Sequence, residues 1–408
     1  MTSTIKADVV TAQATNGNVT LQGNGTGTVA ISDNTAITGT ATVSSTLGVT
    51  GATTLSGQAM PTSGGLFSGR SVVVNGGCQV AQRGASFASV TASGTYPVDR
   101  FLFHVGSLGT WTLTRDTDVP TGEGFYNSIK CDVTTADASP SGLDYARIDY
   151  RLEGQDCGRF RKGTASAEKF ALSFWVKSPK TGTHIVELQD GDNNRTISKA
   201  YTVSSANTWE QQKLIIDADT TGALDNDNAK SLTIAFWLAA GTDYTSGSLQ
   251  TSWGTPTNAN RVAGTVNCAD NAANNFYLTG VQLECGDACT PFEFESYGET
   301  LQKCMRYYQL PHNWQAHSDS STATAFKIMH SFPVPMRASP TIGTTGTPTC
   351  VKMNANAAGP TTISVVPTAN ANGFNGNSFT TMATGAGSAA ATDTPYVGIS
   401  GFTASAEL

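Results

Sequence analysis

From Ile5 to Leu55 the aliphatic positions keep one phase. Ile5, Val9, Val19, Leu21, Val29, Ile31, Ile37, Val43, Leu47, Val49 and Leu55 are all odd-numbered, and Val10 alone breaks the rule. A period of two marks extended chain with alternate side chains on opposite faces. A lone ribbon of this kind cannot bury its stripe, and a two-stranded hairpin of such small side chains is marginal. Identical segments from several chains, wound about a shared axis, would bury the odd face, and three of them close one another's edges. Residues 1–68 are therefore expected to form the extended shaft of a homotrimer. The plain alternative, a flexible Gly/Thr linker, has no reason to hold its aliphatics in phase.

From Arg70 onward the pattern gives longer strands: Ser71–Val74, Thr110–Thr114, Tyr145–Leu152, Phe170–Lys177, His184–Leu188, Trp209–Ile216, Leu232–Ala239 and Phe276–Leu283. Turn clusters such as Lys180-Thr181-Gly182 and Asp225-Asn226-Asp227-Asn228 separate them. Strands without helices between them predict an all-β, antiparallel jelly-roll sandwich over residues 69–298. In two strands the inward positions are Leu172, Phe174 and Val176, and Ile234, Phe236 and Leu238, which turns Trp175 and Trp237 outward. An outward indole either stacks on a sugar ring or is covered by a loop or another subunit. With Trp111, Trp253 and Trp314 these two make up the candidates for carbohydrate, receptor or trimer contact.

Ser296 and Glu299 have the spacing of a capping box, and Leu301, Cys304 or Met305, and Tyr308 follow at helical spacing. A single linking helix is expected over 299–309. Beyond it, residues 310–408 read as a small C-terminal β-sandwich with strands at Ala325–Phe332, Thr349–Met353, Thr361–Val366, Ser378–Met382 and Tyr396–Leu408. Its prolines fall at strand ends, and its Asn- and Gly-rich loops suit either receptor contact or plain surface.

Composition narrows the function classes. Charged residues are 13% of the chain and the formal charge is −7, so solubility rests on hydroxyls and amides, and the basic footprint of a nucleic-acid binder is absent. No apolar run has the length of a membrane helix. The start, Met1-Thr2-Ser3-Thr4-Ile5-Lys6, lacks the apolar core of a secretory signal, so synthesis in a cytoplasm and free thiols for the eight cysteines are expected. No G-x-S-x-G elbow or H-E-x-x-H helix occurs. Asp144, Asp149 and Glu153 are an acid/base couple only if geometry makes them one. Asp190, Asp192 and Asn194 fit the opening of a calcium loop but lack its later Gly and Glu. No catalytic residue and no cofactor beyond such structural calcium is expected, and the chain reads as a non-enzyme.

The run Gly280-Val281-Gln282-Leu283-Glu284, with Thr290-Pro291-Phe292-Glu293, Ser296-Tyr297-Gly298-Glu299 and Cys304-Met305-Arg306-Tyr307-Tyr308, resembles bacteriophage tail-fibre proteins, especially those of phages of marine bacteria. Val80-Ala81-Gln82-Arg83-Gly84, Asp99-Arg100-Phe101, Thr208-Trp209-Glu210, Ser3-Thr4-Ile5-Lys6 and Phe332-Pro333-Val334-Pro335 agree with it, so the resemblance covers most of the chain. It implies a trimeric virion fibre made in the host cytoplasm. Its N-terminus would join the tail or another virion protein, its sandwich would resemble carbohydrate-binding modules, and its distal β domains would meet a host surface glycan or outer-membrane receptor. No contact residue carries over. The rival readings are a capsular-polysaccharide depolymerase and a non-binding fibre or adaptor on tail or capsid.

Overall fold

The computed structural model describes the backbone of residues 53–55, 58–60, 69–310, 314–322, 325–353, 360–362, 364–368, 378–384 and 396–408, and the side chains of 69–310, 332–343 and 403–408. The in-phase aliphatics of residues 1–52, and the trimeric shaft expected from them, lie outside the described residues. Strands β1 (Thr53–Leu55) and β2 (Gln58–Met60) pair as an antiparallel hairpin.

The sandwich is built from β3 (Ser86–Val90), β4 (Thr95–Val98), β5 (Phe101–Gly106), β6 (Thr110–Asp116), β7 (Ser128–Thr135), β8 (Tyr145–Glu153), β9 (Phe170–Lys177), β10 (Gly182–Asp190), β11 (Arg195–Val203), β12 (Glu210–Ile216), β13 (Lys230–Ala240) and β14 (Asn275–Cys285). Sheet I runs in the order β11-β10-β13-β8-β5-β4 and sheet II in the order β12-β9-β14-β7-β6-β3. Every pairing is antiparallel, and β7 to β10 alternate between the sheets, which gives the expected jelly roll. Alternation decides which side chains meet in the middle. Leu172, Phe174 and Val176 of β9 face Ile234, Phe236 and Leu238 of β13, all fully buried, and Phe174 and Phe236 touch edge to face at 5.0 Å. Each such side chain contributes about 1.5–3 kcal/mol by leaving water.

Ser71–Val74 is not a strand. The Glu293 carboxylate takes the backbone N–H groups of Arg70 and Ser71 at 2.9 and 3.2 Å, groups that a ladder would use. Val74 donates instead to the Tyr150 hydroxyl at 2.7 Å. In β14 the register shifts between Thr279 and Gln282, and Gly280 sits there at φ +62°. A Cβ at Gly280 would lie 2.7 Å from the Phe125 ring and 3.0 Å from that of Trp175, so only glycine fits under these rings.

After β13 comes a one-turn helix, α1 (Thr242–Thr245), and after β14 the linking helix α2 (Tyr297–Met305). The linking helix ends short of the expected 299–309 because Tyr308 and Gln309 already pair as a strand. The capping box at its start is formed: the Ser296 hydroxyl accepts the Glu299 N–H, and the Glu299 carboxylate accepts the Ser296 N–H at 3.2 Å. The C-terminal strands are β15 (Tyr308–Gln309), β16 (Trp314–Thr322), β17 (Ala325–Ser331), β18 (Thr341–Met353), β19 (Pro360–Thr362), β20 (Ser364–Thr368), β21 (Ser378–Thr384) and β22 (Tyr396–Ser405). Their hydrogen-bonded order is β19-β18-β22-β16-β17-β21-β20, with β15 on β22.

Because Tyr308 pairs with Ser405 and Gln309 with Ala404, this domain leaves the sandwich and returns to it at one place. A seam of arginines holds the return. Glu407 accepts from Arg83 at 3.0 Å and Arg100 at 2.6 Å, Arg100 lies 3.4 Å over the Tyr307 ring, and Arg83 lies 3.6 Å over that of Tyr308. The seven described cysteines are free, all buried except the half-buried Cys285. No helix among the described residues is long and apolar enough to cross a membrane.

Candidate functional site

The outer face of sheet II carries an aromatic shelf. Tyr277 of β14 is paired with Lys130 of β7 on one side and Lys177 of β9 on the other, so the three side chains stand in one row. Trp209 extends the row, because it lies one residue beyond Glu210, which pairs with Val176. The Trp209 and Tyr277 rings meet at 5.9 Å and 65°, and the Lys177 ammonium lies 4.3 Å over Tyr277 and 5.6 Å over Trp209.

A loop across this face fixes the indole. The Trp209 Nε1–H donates to Asp118 Oδ1 at 2.9 Å, and Lys177 Nζ donates to the other oxygen of that carboxylate. The loop is itself tied down by Ser128 Oγ donating to the Asp118 carbonyl at 2.6 Å and Thr279 Oγ1 donating to the Asn127 carbonyl at 2.8 Å. Burial would raise the Asp118 pKa, but the bonds from Lys177 and Trp209 outweigh it and hold the carboxyl below the usual range. Trp209 is half-buried, Gln211 is exposed, and Lys130 with its partner Asp132 at 2.8 Å completes a polar rim. A pinned aromatic face bordered by amide, ammonium and carboxylate groups matches the C–H faces and hydroxyl edges of a sugar.

The aromatic surface continues past Trp175, which neighbours Thr279 and Gln211. There Phe125 packs on Gly280 and meets Phe292 at 5.0 Å and Phe294 at 5.2 Å. Tyr126 is 76% exposed and Phe294 50% exposed at its end.

Among the described side chains of the tryptophans picked out by sequence, half-buried Trp175 alone belongs to this face. Trp237 does point outward from β13, but residues 241–262 cover it: it is 1% exposed and packs with Val262, Tyr244 and Leu249. Its Nε1–H donates to Glu187 Oε2 at 3.0 Å, so it is a brace and offers no platform. Trp111 is a core residue, fully buried, with its N–H on the Leu108 carbonyl at 2.8 Å. Trp253 packs against the core 5.8 Å from Phe170, its N–H bound to the Asp217 carbonyl at 2.7 Å. The side chain of Trp314 lies outside the described residues. In the sequence Trp209 stands only at the start of the expected strand Trp209–Ile216 and in the segment Thr208-Trp209-Glu210, outside the expected contact residues.

The calcium candidates have other tasks. The fully buried Lys162 ammonium bonds the Asp190 carboxylate, Asp219 at 3.1 Å, and the carbonyls of Thr221 and Gly222 at 3.0 and 2.8 Å. That is the oxygen cage of a cation, already filled by a lysine. Asp192 accepts the Asp225 N–H at 2.9 Å, and Asn194 takes the turn position at φ +49°. The carboxylates Asp144, Asp149 and Glu153 do not form a couple. Asp144 caps Ser141, whereas Asp149 and Glu153 stand four residues, about 13 Å, apart along β8. Glu153 is locked by Arg306 at 2.9 and 2.7 Å.

No family model and no curated protein matches the chain. Among solved structures it is similar to the enzymatically active domain of bacteriophage CBA120 tailspike protein 4, with 16% identity and a TM-score of 0.28, over 53% of this chain and 21% of that one. It is also similar to a putative sugar-binding protein from Bacteroides thetaiotaomicron, with 11% identity and a TM-score of 0.29, over 53% of this chain and 100% of that one. A third likeness, to the module TmCBM61 in complex with β-1,4-galactotriose, has 9% identity and a TM-score of 0.26, over 53% of this chain and 99% of that one. The chain thus spans about a fifth of the tailspike's length.

Proposed function

We propose that this chain is a bacteriophage tail-fibre protein that binds a host surface glycan on the Trp209–Tyr277 shelf and does not cleave it. The observation that carries the glycan reading is the partly exposed Trp209 indole, held in place by Asp118 and backed by the buried Tyr277 ring. A ring fixed before binding loses little freedom on binding, which favours affinity. The fibre reading is supported by the segment from Gly280 to Tyr308 and by the in-phase aliphatics of residues 1–68. In this reading residues 1–68 join three chains to one another and to the virion. The C-terminal domain, tied to the sandwich at both of its ends, faces outward. Three linked shelves raise the effective concentration of a weak single site.

At most a third of the ~150–250 Å² that a tryptophan side chain buries is left for a ligand, which at ~25 cal/mol per Å² is worth roughly 1–2 kcal/mol, or about 8–30-fold in affinity. The test is a titration of the full chain against bacterial surface polysaccharides chosen from an array. Trp209→Ala is expected to weaken binding about tenfold while the variant still unfolds in one cooperative thermal transition. Equal binding by the variant would refute the shelf, and steady release of new reducing ends would refute a purely binding role.

A further inference from the structure

We infer that the outer face of sheet I carries a second, separate binding site, suited to an acidic sugar unit of the uronate kind. Register defines its shape. Glu187, Ala235 and Asp149 form one row across β10, β13 and β8, and Gln189, Thr233 and Arg151 form the next. Arg147 and His104 are paired in the row beyond. Thr233 is small, so β13 at that row is the floor of a trough between Gln189 and Arg151, and Ala235 beside it is fully buried with Val262 and Trp237. The trough opens into a cleft of about 290 Å³ between Gln189, Asn194, Lys230, Thr233, Asn258 and Arg261, near the lower end of small-ligand sites and sized for one sugar ring.

Its chemistry is mixed in a way that a simple anion does not satisfy. Asp149 is 1% exposed, yet its Oδ1 has no hydrogen-bond partner, and neither do Arg147 Nε, Arg151 Nε and His104 Nδ1. Arg147 Nε lies 3.1 Å from Asp149 Oδ1 without the angle for a bond, and His104 Nε2 lies 3.8 Å from Oδ2. Buried groups left in this way cost about 1–3 kcal/mol each, so a ligand that both donates and accepts is favoured. Neighbouring hydroxyls do both, donating to Asp149 and accepting from arginine.

Charge supplies the rest. Around the cleft Arg261 holds Glu187 at 2.8 and 2.9 Å, Arg195 holds Asp219 at 2.7 and 3.0 Å, and Lys162 holds Asp190. Behind it Arg151 donates to the Leu408 carbonyl and lies 2.9 Å from His104, so Lys230 is the cation at the mouth left for a ligand carboxylate. Burial, and then the crowding of Arg151 and Arg147, holds the exposed Lys230 below its usual pKa. A carboxylate at the cleft mouth would relieve that crowding. A sugar acid presents both the hydroxyls and the carboxylate.

The test is calorimetric titration of the full chain with a galacturonate tetramer, its carboxyl-reduced counterpart and inorganic phosphate. Wild type is expected to bind the tetramer at least about tenfold more tightly than the reduced form, a difference of one charge-assisted contact. Lys230→Gln, at an exposed position, should remove that preference, and the isosteric Asp149→Asn should weaken both sugars. The tetramer titration should persist in Trp209→Ala, which removes only the shelf on the opposite sheet. Equal binding of the two sugars, or wild-type titrations by both Lys230→Gln and Asp149→Asn, would overturn the inference. So would displacement of the tetramer by equimolar phosphate, which would leave a plain anion site, or loss of the tetramer in Trp209→Ala, which would leave one site instead of two.

Discussion

Replacing Lys162 by Met removes the ammonium from the oxygen cage between β10 and the loop after β12. In the native protein that ammonium, with no exposed surface, faces two carboxylates and two carbonyls. The two acids fare differently without it. Asp219 keeps a bidentate partner in Arg195 at 2.7 and 3.0 Å. Asp190 keeps only neutral donors: the N–H groups of Asp192 and Asn193, both at 3.0 Å, and the Asn193 amide. Breaking a buried ion pair on one side costs about 3–5 kcal/mol, and the remaining donors place this case near 3. At about 2–4 °C per kcal/mol for a domain of this size, Lys162→Met should melt about 6–12 °C below wild type in scanning calorimetry. Neutralising Asp190 as well, in Lys162→Met with Asp190→Asn, should recover part of the loss. In Lys162→Ala, which empties the cage instead of filling it with a thioether, millimolar calcium should raise the melt while leaving wild type unchanged, because the vacated oxygens then suit a divalent ion. A single variant that melts within 2 °C of wild type would refute the reasoning.

Two further outcomes follow from particular contacts. Gly280→Ala puts a methyl against the Phe125 and Trp175 rings at a positive φ, and the strain and overpacking should together destabilise the chain by roughly 2–4 kcal/mol in denaturant titrations. A change below about 0.5 kcal/mol would mean that the loop over sheet II repacks freely. Burial would raise the Glu153 carboxyl, but bonds from Arg306 and Tyr307 hold it below its ordinary 4.5. A depressed acid stabilises the fold fully above its unfolded value and loses that contribution as pH falls through the folded one. Stability should therefore drop as pH falls below 4.5, and Arg306→Gln should make that limb shallower; identical slopes would count against the Arg306–Glu153 clamp.

The sandwich was legible wherever one side chain in two is apolar. Phe170–Lys177 forms the strand that its alternation gives, and Trp175 and Trp237 leave the core as the same alternation requires. What lies over an outward residue is not encoded in its own strand. Trp237 is covered by residues 241–262 and Trp175 only partly by the loop holding Phe125. Trp111, expected as a contact residue, keeps phase with Leu113, and that shared phase puts it in the core instead. Trp209 opens the expected strand Trp209–Ile216, whose polar residues fall on both faces and so mark no outward side, and its partner Tyr277 comes from a distant strand. In β11 the charged Arg195 and Lys199 share a face with Ile197, Tyr201 and Val203 and blur the period, whereas β7 keeps a clean alternation at Ile129, Cys131 and Val133, though no strand was expected there. The calcium motif misled because its cation comes from Lys162, which no local spacing connects to Asp190. The capping box of α2 was legible because both of its partners lie within one turn.

The central claim is that a glycan rests on the Trp209 indole, and a structure of the full chain soaked with a binding polysaccharide fragment tests it most directly. The account predicts a sugar ring lying flat over the exposed indole face, with a hydroxyl within hydrogen-bond reach of Asp118, Lys177 or Gln211. A bound fragment that leaves that face bare would contradict it.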